Sequence, residues 1–325
     1  MAKHIKSSFG FDGIIKPFAH DKKSKLILNE VKDIDIDFKT QKLVSFSQFQ
    51  LYHQCPHKWS QQYVYKNFKT PPSIHLIFGT AIHEIFQNYL TVGFNKSFAA
   101  ADRINIEEEL LIKLRSAYNE MVINNNNKHF STPAELGEFY QDGLDIMNWF
   151  KKKRSGYFTS RGYQLLGIEM PLHKNMRDNV IYRGYIDLVV YDEFLDKITI
   201  YDIKTSTKGW SDWDKKNDSK LAQLLIYKQY FSELYGFPVD NIDVQFFILK
   251  RKAEPNEFVE FPKRIQTFTP ANGKNKINQA VGKFEEFVVD CFDETGQHIY
   301  KDYPKNRTKL CDWCPINNTS FCLKD

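Results

Sequence analysis

The chain has 325 residues, 42% of them hydrophobic, with 45 lysines and arginines against 40 acids and a formal charge of +5. That is enough apolar material for one large domain, or a domain with an appended lobe, and it excludes a disordered or fibrous chain. The mild basic balance permits a nucleic-acid partner without arguing for one; no stretch reaches the roughly 20 apolar residues of a membrane span, and MAKHIKSSFGFDG lacks a secretory apolar core, so a cytoplasmic protein without a membrane partner is expected.

Residues 1–44 carry scattered charge and one alternating run, KLILNEVKDIDIDF, expected to be an edge strand or an arm. In SFSQFQLYHQCPHKWSQQYVYK, Ser45 or Ser47 can cap a helix that Cys55-Pro56 interrupts, and Pro56 opens a second helix carrying Trp59, Tyr63 and Tyr65. Cys55 thus sits at a joint between helices, where a lone cysteine is ordinarily packing. After the turn TPPS, IHLIFGTAIHEIFQNYL reads as a helix beginning near Gly79, with Ile82, Ile85, Phe86 and Tyr89 on its apolar stripe. His83 borders that stripe, where a hydrogen-bonded core histidine is commoner than a ligand. Helical patterns follow at 106–123 and 134–154, and residues 91–160 are expected to form a helical insertion between N-terminal helices (45–90) and a core (161–300). The cations of 151–154 suit a helix C-terminus, or a contact with phosphate.

YQLLGIEMPLH reads as a strand whose Glu169 faces either solvent or a cleft. Next comes YRGYIDLVVYDEFLDKITIYDIKT, two β-branched, aromatic-rich strands joined by a short polar connection. Alternation puts Asp202 and Lys204 on one face and Tyr201, Ile203 and Thr205 on the other, with Asp187 in the preceding strand. Ionised groups on a half-buried sheet need partners or a cation. Carboxylates are hard oxygen ligands for Mg²⁺ or Mn²⁺, and an ammonium is a point charge suited to phosphate. The plainer alternative is that Lys204 only neutralises Asp202 on a solvated face.

The loop 205–220 combines Trp210 and Trp213 with Lys208, Lys215 and Lys216. Aromatic faces there can stack on bases while lysines track a nucleic-acid backbone, or both tryptophans can pack inward. The following helix, ended by Gly236 and Pro238, carries Gln223 and Tyr227 on one face. DVQFFILK reads as a further strand, and 275–292 as a helix whose isolated Cys291 is assigned to packing. The tail, 301–325, places Cys311, Cys314 and Cys322 close together as three ligands for one metal or cluster, with Cys55 the candidate fourth. Five cysteines are an odd count for a disulfide framework, which favours ligation.

The segments SFSQFQLYHQCPHKW, GTAIHEIF, GYIDLVV, YDIKTS and QLLIY, with the cysteine tail, resemble in order and spacing the RecB-like branch of the PD-(D/E)XK nuclease superfamily. The likeness runs from Ser45 to Cys322 and is greatest to the iron-sulfur members, such as the AddB nuclease domain and the CRISPR-associated RecB-like exonucleases. It implies a restriction-endonuclease-like α/β core, a mixed central sheet flanked by helices. It also implies metal ligation by His83, Asp187, Asp202 and the backbone carbonyl of Ile203, with Lys204 orienting the attacking water and Gln223 and Tyr227 touching DNA. Cys55, Cys311, Cys314 and Cys322 would hold a [4Fe-4S] cluster that staples the tail to the N-terminal helices. Zn²⁺ stays open as the alternative, because the seven residues between the last two cysteines exceed the commoner spacing.

The expected function is a Mg²⁺- or Mn²⁺-dependent DNA nuclease, chiefly an exonuclease on ends or single strands in recombination, repair or phage DNA metabolism. Divalent ions held by carboxylates activate water, neutralise the charged transition state and assist the leaving oxygen, and the lysine adds a cation at phosphate. A structure- or sequence-specific endonuclease is one alternative. A non-catalytic DNA-binding module is another, against which clustered acids beside phosphate speak. No G-x-x-x-x-G-K-S/T motif supplies a motor, so a helicase, recombinase or single-strand-binding protein is a plausible partner.

Overall fold

A computed structural model describes residues 26, 28–253 and 262–323. Most of the expected N-terminal arm lies outside the described residues. Within the alternating run, 28–36 form no strand, but Val31 is buried, and Asp33 accepts hydrogen bonds from Arg183 and, at 2.8 Å, from the Tyr185 hydroxyl.

In chain order the elements are β1 (Lys42–Val44), α1 (Phe46–Gln54), α2 (Pro56–Tyr63), α3 (Ile74–Asn95), α4 (Phe98–Ala101), α5 (Ile106–Asn124), α6 (Pro133–Lys153), β2 (Tyr163–Arg177), β3 (Val180–Asp192), β4 (Lys197–Ser206), α7 (Asp218–Tyr235), β5 (Ile242–Lys250), β6 (Ile265–Phe268) and α8 (Lys274–Cys291). Local chemistry sets the boundaries. Ser45 caps α1 by accepting the Gln48 N–H, and Cys55 ends α1 while its thiol accepts the Lys58 N–H at 3.4 Å to open α2. Helix α3 starts at Ile74, five residues before the expected Gly79. The Ser73 hydroxyl accepts the His75 N–H at 3.2 Å, and Ile74, Ile77 and Phe78 extend the buried stripe toward the N-terminus. Gly236, at φ +73°, closes α7 in the left-handed conformation that a residue with a Cβ resists.

The sheet is mixed, ordered β1-β3-β4-β5-β6, with β2 paired to β3. Strands β2, β3 and β4 form an antiparallel meander, while β4 and β5 run parallel with α7 between them in sequence. Alternating side chains feed two cores. Val189, Ile200, Phe246 and Ile248 face α1, α2, α7 and α8, whereas Leu188, Ile203, Phe247 and Leu249 face α3, α5 and α6. The sheet is thus covered on both faces, and polar groups held inside it must be satisfied by one another or by what they bind.

Candidate active site

The site forms where two strands part. β3 pairs with β4 only from Leu188 to Asp192, and with β1 only from Val180 to Tyr182, while β4 runs on beside β5 to Ser206. Between those two pairings Asp187 faces a gap, so backbone groups of β4 that lose a strand partner need side chains instead. The Ile203 N–H donates to Asp187 Oδ2 at 2.6 Å, and the Ile203 carbonyl lies 3.1 Å from His83 Nε2. His83, on α3, also approaches Asp187 Oδ2 at 3.2 Å. Ambiguous in sequence, this histidine is here tied to both strands.

Glu169 joins them. Its neighbours Ile168 and Met170 pair with Leu188 and Ile186, so Glu169 stands across from Asp187 on the adjacent strand. Among the described residues, ligand atoms of His83, Glu169 and Asp187 lie within 4.8 Å of one another. Asp202 stands outside that trio. It is 1% exposed, and its carboxylate is held by Lys204 Nζ at 2.8 and 3.0 Å. Sequence alternation had left Glu169 free to face solvent, and its φ of +51°, far from strand geometry, is what turns it.

The electrostatics follow from this crowding. Burial would lower the His83 pKa, but the charge and hydrogen bond of Asp187, aided by Glu169, outweigh it and raise the imidazole to about 9. Burial likewise opposes ionisation of Asp187, and His83, Lys204 and the Ile203 N–H overcome it, holding this carboxyl below the usual range. Asp202 is pushed up to about 6, chiefly by burial, against the pull of Lys204. Although Glu169 is exposed as a residue, its carboxyl end is enclosed, and that enclosure followed by the charge of Asp187 raises it. Lys204 is held above its ordinary value because Asp202 and Asp187 outweigh the cost of its burial.

These residues fit a hard divalent cation. Facing carboxylates on neighbouring strands repel unless a cation lies between them, and the donors are carboxylate, carbonyl and imidazole atoms. His83, Asp187, Glu169 and the Ile203 carbonyl could hold the ion, with Asp202 behind them.

On α7, Gln223 Nε2 donates to the Tyr227 hydroxyl at 3.0 Å, and Tyr227 is buried, its pKa raised by that burial and by the charges of Asp202 and Asp187. The pair therefore lies within the field of the acids. The two loop tryptophans part company. Trp210 turns inward, its ring 4.6 Å from Phe246 and its backbone N–H 2.6 Å from Gln266 Oε1, the inward packing that the sequence left open for the loop aromatics. Trp213 is 66% exposed. Lys208 lines a cleft with Lys252 and Arg264.

Far along the chain, Cys55, Cys311, Cys314 and Cys322 line one pocket, whereas Cys291 is buried in the core. Backbone and ring contacts already bring the chain ends together there. The His57 N–H donates to the Pro304 carbonyl at 3.1 Å, His57 Nε2 lies 2.7 Å from the Phe321 carbonyl, and Asn306 Nδ2 donates to the Gln54 carbonyl at 3.0 Å.

Comparison with known proteins adds three findings. The family model described as PD-(D/E)XK nuclease superfamily matches residues 43–319. No curated protein matches the chain. A solved structure titled "Crystal structure of SSO0001" is similar over 84% of this chain and 83% of that one, at 12% identity and a TM-score of 0.34.

Proposed function

The chain belongs to the PD-(D/E)XK nuclease superfamily, and on that premise we propose that this metal-dependent nuclease acts on DNA as an exonuclease, taking free ends or single strands. The observation that carries the reading is the meeting of His83 Nε2, Asp187 Oδ2 and Glu169 at the strand fork, with the Lys204 ammonium beside them. A bound Mg²⁺ or Mn²⁺ would supply an activated water and neutralise charge on the phosphate. Asp187 and Glu169 present the oxygens that hold it, and the Ile203 N–H fixes the orientation of Asp187. Lys204 extends from the buried Asp202 with its side chain 36% exposed, so its charge reaches a phosphate while Asp202 keeps it in place. On the neighbouring helix, Gln223 and Tyr227 border the bound strand, and Trp213 offers a face for a base.

The same reading gives the cysteines a structural [4Fe-4S] cluster. The four thiols line one pocket between the N-terminal helices and the tail, the donor set such a cluster takes, and the helical stretch at about 91–160 is an insertion in the nuclease core.

The test is incubation of linear single-stranded, linear double-stranded and circular single-stranded DNA with Mg²⁺ or Mn²⁺. Shortening of linear strands with the circle intact is expected. A nicked circle would move the assignment to an endonuclease, and no cleavage of any substrate would overturn the nuclease reading.

A further inference from the structure

Gln87 lies one helical turn beyond His83 on α3, so the two side chains leave the same face of the helix. It is 6% exposed, and its amide is divided between two acceptors. Nε2 donates to Glu169 Oε1 at 2.6 Å and to the backbone carbonyl of Asp187 at 3.1 Å. One amide thus joins the helix that carries His83 to the two strands that carry Glu169 and Asp187.

Glu169 needs such a hold. Its φ of +51° falls in the left-handed region, which suits glycine or asparagine and which glutamate avoids, and this conformation sits in the interior of β2. Irregularities of this kind re-aim a side chain, here across β3 toward His83. The chemistry of the donor matters too. A lysine or arginine at position 87 would neutralise Glu169 and repel a cation, and an acid would repel Glu169 itself. A neutral amide fixes one carboxylate oxygen, leaves the other open and keeps the full negative charge.

We propose that Gln87 is a positioning residue of the metal site, acting through Glu169 to hold that carboxylate beside Asp187 and His83. The proposal rests on the nuclease reading, since it assigns Gln87 a role toward the ion which that reading requires. Outer partners of this sort typically change metal affinity by about 10- to 100-fold when removed.

The experiment is Mn²⁺ titration of the DNA-free protein, followed by electron paramagnetic resonance, for the wild type, Gln87→Leu, Glu169→Gln, the double variant and Asp187→Asn, with thermal unfolding in parallel. Gln87→Leu should weaken Mn²⁺ binding about tenfold or more, and the double variant should bind no worse than Glu169→Gln alone, because the two residues act in series. Gln87→Met, apolar and flexible, takes the place of the leucine variant if that does not fold. A purely structural glutamine would lower the melting temperature and leave Mn²⁺ affinity within twofold of wild type, and that result overturns the proposal, as does additivity in the double variant. Unchanged binding by Asp187→Asn would instead strike at the nuclease reading, so the two failures are separable.

Discussion

Lys204→Met removes the counter-charge in direct contact with Asp202. The carboxylate is 1% exposed, and its oxygens lie 2.8 and 3.0 Å from Nζ. Deleting one member of a buried pair ordinarily costs about 3 to 5 kcal/mol. Here Lys204 keeps 36% of its side-chain exposure, so water already screens part of the attraction, and Asp202, with a pKa already pushed up to about 6, can take a proton when its partner goes. Both reduce the expected loss to about 1 to 2 kcal/mol. Urea unfolding in metal-free buffer reads it directly. Lys204→Met with Asp202→Asn should regain most of that stability, because asparagine leaves no charge unpaired, and neither variant should cleave DNA. A single variant as stable as the wild type, or a double variant less stable than the single, would refute the argument. Asp202 would then not depend on Lys204, and the lysine would lose the contact that poises it over the cleft.

Acidification should destabilise the protein through His298, whose ring packs 4.8 Å from Phe292 and 5.9 Å from Trp59 and whose pKa is pushed down to about 4 by burial, with Lys42 and Lys66 adding. The unfolded chain, titrating near 6.5, takes the proton first as pH falls, so this contribution is complete above about 6.5 and declines toward 4 by at most about 3 kcal/mol; urea midpoints at neutral and mildly acid pH should show a shallower decline in His298→Leu. Trp213→Ala should weaken single-strand binding by about 1 to 3 kcal/mol, measured by fluorescence anisotropy. Trp210→Ala should leave that affinity alone and cost about 1 to 3 kcal/mol of stability; the reverse pattern would exchange their roles. Cys322→Ser should lower both the iron content, about four per chain in the wild type, and the melting temperature, while Cys291→Ala keeps the iron. One zinc per chain in the wild type would keep the staple and reject the cluster.

The strands were legible because their periodicity is local. Alternation from Tyr182 to Thr205 separates Asp202 and Lys204 from Tyr201 and Ile203, and those last two do pack in the core beneath α3 and α6. The start of α3 was hidden by TPPS, which reads as a turn although its serine is the cap. Glu169 was legible as a strand residue but not in its direction, because alternation assumes extended backbone and this residue has a positive φ. Trp210 and Trp213 share one irregular loop, and contacts with distant strands, Phe246 on β5 and Gln266 and Phe268 on β6, are what turn Trp210 inward.

His83 shows why the remainder of the site needed the fold. Its bland and functional roles look identical along α3, since in either case the histidine borders an apolar stripe. The difference is made by Ile203, 120 residues away, whose carbonyl it meets, and by Asp187, which takes the N–H on the other side of that same residue. Both contacts exist because β3 joins β4 only from Leu188 onward, leaving backbone groups of β4 beyond Tyr201 that an unbroken ladder would have satisfied. The helix over one face then supplies His83 and Gln87 to the gap, and Asp202 and Lys204 enter it from β4, on the side covered by α7. The parting of two strands thus accounts for why groups so distant in sequence converge at a place where charge is poorly solvated, and why a cation would be held there.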